Sequence, residues 1–267
     1  MSNWLAALLG LVEGLTEYLP VSSTGHLILV STFFGSQSEG AKAFDIVIQL
    51  GAILAVVIHY RTLLSERVRG LFAGRREAVA LAVALLVAFL PAALVGLMLR
   101  KTIKAHLFGP GPVAAALIVG GIIMIVIERV RARRHETGVD GLEQVTPRRA
   151  LLIGLGQCLS LWPGASRSMC TIVAGQLSGL STSTAAEFSF LLALPTLGAA
   201  TLYELYKSRG ELSGSIGVSQ LLIGLVVSFV VAWAVIAAFL QFLRKRGLEV
   251  FGYYRIAVAI LVLWLIR

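Results

Sequence analysis

Charged residues and cysteines are scarce in this chain of 267 residues. Only 14% of the residues are charged, whereas 57% are hydrophobic. This balance argues against an ordinary soluble domain and is typical of a polytopic membrane protein. The two cysteines, Cys158 and Cys170, lack metal-ligand spacing, so we expect them to be small buried apolar side chains. No basic segment precedes the apolar residues 4–12, so we expect no cleavable signal sequence.

Acidic side chains are outnumbered by basic ones, and the formal net charge is +9. That charge could indicate nucleic-acid binding, but the basic residues cluster in short segments between apolar runs, so we expect no nucleic-acid partner. Segments 61–77, 129–149 and 244–246 hold fourteen Lys and Arg. The positive-inside rule therefore places them in the cytoplasm. The opposite side holds seven: Lys42, Arg100, Lys101, Lys104, Lys207, Arg209 and Arg267.

Eight apolar runs organise the chain. Two of them are interrupted by Pro, Gly and polar residues, which predicts re-entrant helix–loop–helix hairpins at 3–33 and 150–180. The sequence thus predicts an all-α integral membrane protein with a single membrane domain, residues 1–267. Six runs are long enough to be uninterrupted transmembrane helices: 44–60, 78–99, 112–128, 184–204, 219–242 and 250–266.

The two halves of the chain have opposite predicted orientations. With the basic segments inside, the first hairpin enters from outside and the second from the cytoplasm. This is an inverted-topology repeat, with 3–128 as the first repeat and 146–267 as the second. An alignment at an offset of 143 residues, which places Ser23 on Ser166, favours it. Hairpins that enter from opposite faces should bring their broken tips together near the midplane.

The first hairpin carries the motif EGLTEYLPVSSTGH at residues 13–26. If residues 6–19 are helical, Glu13 and Glu17 lie on one face about one turn apart, and Pro20 ends that helix. Two close carboxylates repel each other unless a cation lies between them. The pair therefore predicts a divalent cation, Mg²⁺ or Ca²⁺, held by oxygen ligands and bridging to phosphate.

Hydroxyl and imidazole groups follow the carboxylate pair. Ser22, Ser23 and Thr24 supply a nucleophile or ligands. His26 can act as a general acid or base near neutral pH.

The second hairpin carries the motif PGASRSMCT at residues 163–171. The planar guanidinium of Arg167 suits phosphate oxygens, although an ion pair with a carboxylate of the first hairpin is the structural alternative. Free backbone N–H groups at the start of the following helix add affinity for anions. Carboxylates, hydroxyl, imidazole and arginine together favour metal-assisted phosphoryl transfer. The other polar side chains of this motif are Ser166, Ser168 and Thr171.

The two motifs resemble the signature motifs of the undecaprenyl-diphosphate phosphatase family, the bacitracin-resistance proteins of bacterial inner membranes. The resemblance extends over essentially the whole chain, including FDIVIQLGAI (44–53) and EFSFLLALP (187–195), and departs at Met169, where the family usually has Gly. It implies hydrolysis of undecaprenyl diphosphate (C55-PP) to undecaprenyl phosphate and inorganic phosphate. This reaction recycles the carrier lipid for peptidoglycan synthesis and confers bacitracin resistance.

The resemblance also implies roles for individual residues. Glu13 and Glu17 would handle the metal and the diphosphate, Glu17 also being catalytic. Ser23 would be the nucleophile with His26 beside it as acid or base, and Arg167 would stabilise phosphate charge. The sequence leaves open whether Ser23 attacks or orients an attacking water. The implied substrate contacts are Ser22, Thr24, Ser166, Ser168 and Thr171.

A multi-pass protein of the bacterial inner membrane is expected, with its active site toward the outer, periplasmic face. Its expected partners are the polyprenyl diphosphate lipid and the bilayer, with a homodimer left open. The alternative function is a transporter or flippase for a polyprenyl phosphate lipid, because inverted repeats with broken helices are typical of transporters. A transporter needs binding groups but no nucleophile.

Four polar residues outside the motifs carry weaker predictions. Arg255, which follows two tyrosines, is predicted to be an interfacial anchor. Asp45, Gln49 and Glu187 could hydrogen-bond to residues that contact the substrate. Alternatively, they could cap helices or form hydrogen bonds between helices.

Overall fold

A computed structural model describes residues 1–34, 39–107, 109–207 and 217–265. The all-α prediction is confirmed for these residues, where the only β contact is an isolated bridge between Val139 and Leu180. Two of the basic residues counted above, Arg209 and Arg267, lie outside the described residues, as do the side chains of Lys42, Arg100, Lys104, Lys207 and Arg244. The helices are α1 (Asn3–Thr16), α2 (Ser23–Phe33), α3 (Glu39–His59), α4 (Arg61–Phe72), α5 (Arg76–His106), α6 (Pro110–Arg133), α7 (Pro147–Gln157), α8 (Arg167–Leu177), α9 (Thr182–Lys207), α10 (Val218–Arg246) and α11 (Glu249–Leu265).

Two broken helix pairs occupy the predicted hairpin positions. Helices α1 and α2 flank the first tip, and α7 and α8 flank the second tip, which begins with the 3₁₀ helix Cys158–Leu161. Helix α1 ends at Thr16, earlier than the predicted residue 19, because the chain turns before Pro20. Glu17 nevertheless keeps helical backbone angles, and its N–H donates to the Glu13 carbonyl at 2.9 Å. The two carboxylates therefore remain one turn apart.

Several helices are long and apolar enough to cross a membrane. By length and composition, four described segments qualify, and α3 with α4 would add a fifth if this pair, bent by 74°, were one span. Helix α11 is apolar but has only 17 described residues. The basic segment 61–77, which the sequence analysis placed between apolar runs, is mostly α4, because no helix breaker precedes Gly70. The chain is therefore a multi-pass membrane protein. The four segments are 76–99, 110–133, 182–206 and 218–243.

Each hairpin packs against a helix from the other half of the chain. Helix α1 packs against α10, and α7 packs against α5. The first of these contacts uses glycine for close approach, since a Cβ on Gly10 would lie 2.5 Å from the Gly224 carbonyl oxygen. Because each hairpin packs on a helix from the other half of the chain, the two tips lie side by side.

The two tips share the largest apolar cluster of the described residues. Tyr18 is fully buried, donates its hydroxyl to the Ala52 carbonyl at 2.8 Å and packs edge-on against Phe190. Met169 and Cys170 of the second tip are also buried in this cluster. The tips are therefore held by packing on both sides, which limits how far their polar side chains can move.

Candidate active site

The two tips make direct hydrogen bonds to each other. The Nη2 atom of Arg167 lies 3.3 Å from Oε1 of Glu17, and these side chains are only 7% and 5% exposed. The Ser168 hydroxyl donates to the Leu19 carbonyl at 2.9 Å. The structure thus brings together polar groups about 150 residues apart, as the sequence predicts.

Glu17 is the middle residue of a buried chain of hydrogen bonds that runs from Ser23 to Arg167. Its Oε2 atom accepts a 2.6 Å hydrogen bond from the Ser23 hydroxyl, while its Oε1 atom faces Arg167. One carboxylate therefore links the hydroxyl of the first tip to the guanidinium of the second. This arrangement directs the Ser23 proton at a carboxylate and leaves the serine oxygen lone pairs available.

Arg167 has further partners that hold its guanidinium in place. Its Nη1 atom donates to the carbonyl of Ser189 at 2.8 Å and to its hydroxyl at 3.2 Å. Its central carbon lies 5.7 Å from the centre of the Tyr18 ring. Its Nε atom is buried and has no hydrogen-bond partner among the described residues. The Nε donor of Arg167 is therefore available at the junction of the tips.

Ser189 belongs to the site although the sequence analysis gave it no role. It contacts Arg167, and its hydroxyl lies 2.6 Å from the Thr171 hydroxyl. The available signal was its position as the polar residue of an apolar run, FSFLLALP. Polar side chains inside a membrane span are functional candidates, and this rule would have selected it.

Glu13 is buried, and its Oε1 atom has no hydrogen-bond partner among the described residues. Asp45 lies within electrostatic range of it and also has an unpartnered oxygen, Oδ1. In the described part of the chain, no three acidic, histidine or cysteine side chains are grouped closely enough to hold a metal ion. An unpaired carboxylate oxygen beside Glu17 nevertheless fits a hard cation that takes its remaining ligands from phosphate and water.

A serine in a left-handed backbone conformation caps the second helix of each hairpin. Ser22 has φ +74° and accepts from the Gly25 N–H, and Ser166 has φ +71° and accepts from the Met169 N–H. Such angles cost about 1–3 kcal/mol in a non-glycine residue and are concentrated at functional sites. The matched caps show that the alignment of Ser23 with Ser166 is wrong by one residue, because the second tip has an extra residue between proline and cap.

The remaining predicted hydroxyls differ in their placement. Ser168 lies 3.1 Å from the Ser166 hydroxyl, and Thr171 donates to the backbone carbonyl of Arg167 at 2.8 Å. Thr24 is exposed, and the structure shows no hydrogen bond from it to Glu17 or Arg167. The second tip therefore contributes all its predicted hydroxyls to the polar junction, whereas Thr24 stands apart.

His26 is not hydrogen-bonded to Ser23, although the sequence analysis placed it beside that residue. Its Nδ1 atom lies 2.8 Å from the Ser22 carbonyl, and its Nε2 atom lies 2.8 Å from the Tyr254 hydroxyl. Because a carbonyl can only accept, Nδ1 carries the proton and Nε2 of the neutral ring accepts from Tyr254. The two rings are also stacked with centres 5.7 Å apart. Tyr254 thus fixes the imidazole that the sequence analysis assigned to acid–base chemistry.

Three polar residues outside the motifs have defined surroundings. Arg255 is fully buried and bonds to four backbone carbonyls, so the prediction of an interfacial anchor is wrong. Its helix face is covered by α6, which the sequence pattern did not reveal. Gln49 accepts from Thr201 at 2.9 Å and therefore joins α3 to α9. Glu187 lines a separate polar cavity of about 660 Å³, to which none of the predicted catalytic residues contributes.

A smaller apolar cavity of about 190 Å³ begins at the first tip. It is lined at one end by Gly25, next to His26, and at the other by Phe33 and Pro110. It therefore extends from the first turn of α2 to the ends of α2 and α6 that lie away from the basic segments. The other lining residues are Ile28, Leu29, Thr32, Val113 and Val262.

Comparison with known protein families gives a match over most of the sequence. The sequence profile of the family described as Bacitracin resistance protein BacA matches residues 6–261. The chain belongs to this family. The match covers both hairpins of this BacA family member and all of its predicted site residues.

Curated relatives of this BacA family member carry one enzymatic name. A protein of Sorangium cellulosum (strain So ce56), named undecaprenyl-diphosphatase, is 62% identical over 261 residues, or 97% of this chain and 85% of the relative. A protein with the same name from Thermoanaerobacter pseudethanolicus is 46% identical over 98% of this chain and 96% of its own length. A third, from Nitrosospira multiformis, is 48% identical over 96% of this chain and 92% of its own length.

Proposed function

We propose that this protein hydrolyses undecaprenyl diphosphate to undecaprenyl phosphate and inorganic phosphate, and so recycles the carrier lipid for peptidoglycan synthesis and confers bacitracin resistance. The observation that carries this proposal is the buried chain from Ser23 through Glu17 to Arg167. It joins a hydroxyl, a carboxylate and a guanidinium, which are the groups needed to attack a phosphate and stabilise its charge. The names of the relatives support the same reaction.

Ser23 is the nucleophile in this proposal, and Glu17 is its general base. The Ser23 oxygen attacks the terminal phosphorus, its proton passes to Glu17, and the bridging P–O bond breaks to release the lipid monophosphate. Water then attacks the phosphoserine, giving inorganic phosphate and free serine. The 2.6 Å hydrogen bond favours this route over a serine that only orients water, since the proton already points at its acceptor.

The diphosphate is held by Arg167 and by the starts of two helices. Helices α2 and α8 begin at Ser23 and Arg167, so the free N–H groups of both first turns lie at the tips. The unused Nε donor of Arg167 supplies a further contact for phosphate oxygens. The hydroxyls of Ser166 and Ser168 would bind phosphate in exchange for their present protein acceptors. These donors favour an anionic ligand beside the nucleophile.

A divalent cation, Mg²⁺ or Ca²⁺, is part of the proposal. Glu13 and Glu17 would hold it, since the free oxygen of Glu13 is a hard ligand with no protein partner among the described residues. When bound, such an ion neutralises charge on the diphosphate oxygens.

The part of the lipid tail nearest the diphosphate lies in the apolar cavity between α2, α6 and α11. This cavity begins at Gly25, next to the hydroxyls of the first tip, and its lining is almost entirely apolar. It leads toward Phe33 and Pro110, at the end of the molecule opposite the basic residues 129–134 at the end of α6. Its direction supports a site that opens to the outer, periplasmic face of the inner membrane.

Six transmembrane helices and two re-entrant hairpins in an inverted repeat complete the proposal, with 3–128 and 146–267 as the repeats and the tips near the midplane. Symmetric packing supports it, since α1 on α10 corresponds to α7 on α5. The matched serine caps support it as well. Helix α11, at about 1.5 Å per residue, is about 25 Å long and nearly spans the apolar core of a bilayer as the sixth transmembrane helix.

Phosphate release from C55-PP by the purified protein in detergent tests the function. We expect release with Mg²⁺ or Ca²⁺ and a loss of at least about tenfold with EDTA, because the ion supplies several kcal/mol of charge stabilisation. Adding back the cation should restore the rate. Binding of the lipid without any phosphate release, in either cation, would contradict the phosphatase and favour the transporter. The relatives' names give the transporter no support.

Replacing Tyr254 by phenylalanine should lower phosphate release about fivefold, since one hydrogen bond of about 1 kcal/mol is lost while ring stacking remains. His26, which we propose as a second acid or base in the reaction, would then lose the hydroxyl at its Nε2 atom. The matched control is Tyr253→Phe, because the Tyr253 hydroxyl bonds to half-buried Glu249 instead. Equal rates for the two variants would show that the His26–Tyr254 bond does not contribute to the reaction.

A further inference from the structure

Arg255 makes four hydrogen bonds, and every acceptor is a backbone carbonyl. Its Nη1 atom donates to Pro20 at 3.1 Å, and its Nη2 atom donates to Gly164 at 2.9 Å. The remaining two bonds, from Nε and Nη2, reach Leu117 at 3.3 Å and Ala116 at 3.0 Å. The side chain is fully buried, so these carbonyls replace the water that a guanidinium would otherwise bind.

The four carbonyls belong to the three parts of the chain that meet at the site. Pro20 is in the first tip, three residues after Glu17 and three before Ser23, whereas Gly164 is in the second tip, three residues before Arg167. The other two carbonyls lie in the first half of α6. One rigid, planar guanidinium therefore ties both tips to the same helix.

Neighbouring residues leave room for this guanidinium. A Cβ atom on Gly120 would collide with Nη2 of Arg255 and lie 2.8 Å from the Met169 side chain. Glycine at this position of α6 thus admits the guanidinium to the carbonyls of both tips. Burying an unpaired arginine is costly, and a charge placed between two broken helices needs a reason beyond packing.

We propose that Arg255 is a positioning residue that sets the separation of the two tips, and through it the Ser23–Glu17–Arg167 chain. The proposal rests on the phosphatase function for its kinetic readout but not for its structural one. Arg255 need not touch the substrate, because four of its five N–H groups are already directed at the tips and α6.

The main test compares Arg255→Met with Arg131→Met. Arg131 is also buried and also bonds to two carbonyls, those of Gln176 at 2.8 Å and Leu180 at 3.3 Å, but it contacts neither tip. Arg255→Met should lower kcat about 100-fold, the cost of misplacing catalytic groups by about 1 Å. Arg131→Met, assayed with the same amount of folded protein as Arg255→Met, should keep most of the activity.

Amide hydrogen exchange provides the readout that does not depend on activity. In Arg255→Met, the peptides 18–25 and 163–169 should exchange at least about tenfold faster than in the wild type, because tip carbonyls lose their donor and the tips open more often. The same peptides should be unchanged in Arg131→Met. If the wild type releases no phosphate, the proposed function fails, and exchange alone still decides whether Arg255 holds the tips.

Two further variants address folding and charge. Gly120→Ala keeps Arg255 but displaces its guanidinium, and Gly198→Ala is its control, because a Cβ at Gly198 meets nothing within 4 Å. Arg255→Lys keeps the charge, but one ammonium cannot reach four carbonyls. Gly120→Ala and Arg255→Lys should both lose kcat and loosen the tips. Full activity in Arg255→Lys, or tip exchange as slow as in the wild type in Arg255→Met, would overturn the proposal.

Discussion

Replacing Ser23 by alanine should lower the rate of phosphate release by about 10⁴-fold, as expected when the nucleophile of a covalent mechanism is removed. The Ser23 hydroxyl is the group that donates to Glu17 at 2.6 Å, and alanine leaves no oxygen in its place. Substrate binding should change little, because Arg167 and the helix starts remain. The loss should therefore appear in kcat, measured with saturating C55-PP.

Ser31→Ala is the matched control for Ser23→Ala. Ser31 lies on the same helix, α2, is also buried, and its hydroxyl has no hydrogen-bond partner among the described residues. Its removal should leave the rate within about twofold of the wild type, since no hydrogen bond is lost. Substantial residual activity in Ser23→Ala, with Ser31→Ala normal, would replace the serine nucleophile by an attacking water.

Glu17→Gln should lower kcat about 10³-fold, within the range expected for loss of a general base. Glutamine keeps the shape of the side chain but cannot take the Ser23 proton. It also removes the negative charge that faces Arg167 at 3.3 Å, so the guanidinium loses the partner that orients it. The measurement is single-turnover phosphate release, with thermal unfolding recorded to confirm that the variant is folded.

The control for Glu17→Gln is Glu77→Gln, which breaks an arginine–carboxylate pair at the surface. Glu77 lies 2.9 Å from Arg67 and its side chain is 77% exposed. Exposed pairs contribute about 0–1 kcal/mol, so this variant should be nearly as active as the wild type. A Glu17→Gln enzyme that matched it would show that Glu17 is a structural ion-pair partner and not the base.

The sequence was sufficient to locate the two broken helix pairs and the polar side chains that meet between them. Pro20 and Pro163 interrupt apolar runs, and polar residues follow each of them closely, so both breaks and their reactive groups were visible locally. The orientation of the hairpins predicted that the two tips meet, but it left open whether Arg167 faces Glu13 or Glu17. These predictions succeeded because each depended on neighbours within one motif or on the direction of a helix.

The supporting residues could not be predicted in the same way. Ser189 and Arg255 contact the tips from helices far away in the sequence, and their roles depend on which helix faces are covered. The pairing of His26 with Tyr254 instead of Ser23 was also hidden, because residues 228 positions apart carry no local signal of contact. Such contacts are fixed by tertiary packing, which a hydrophobic pattern does not specify.

The packing of each hairpin on a helix from the other half of the chain has a consequence for biosynthesis. Helix α1 emerges first, but the helix on which it packs, α10, begins only at Val218. Most of the chain must therefore be translated before α1 can pack on α10, and Arg167, the partner of the buried Glu17, is also made late. Contacts of such long sequence separation form late, so we infer that the catalytic centre is among the last parts of the protein to mature.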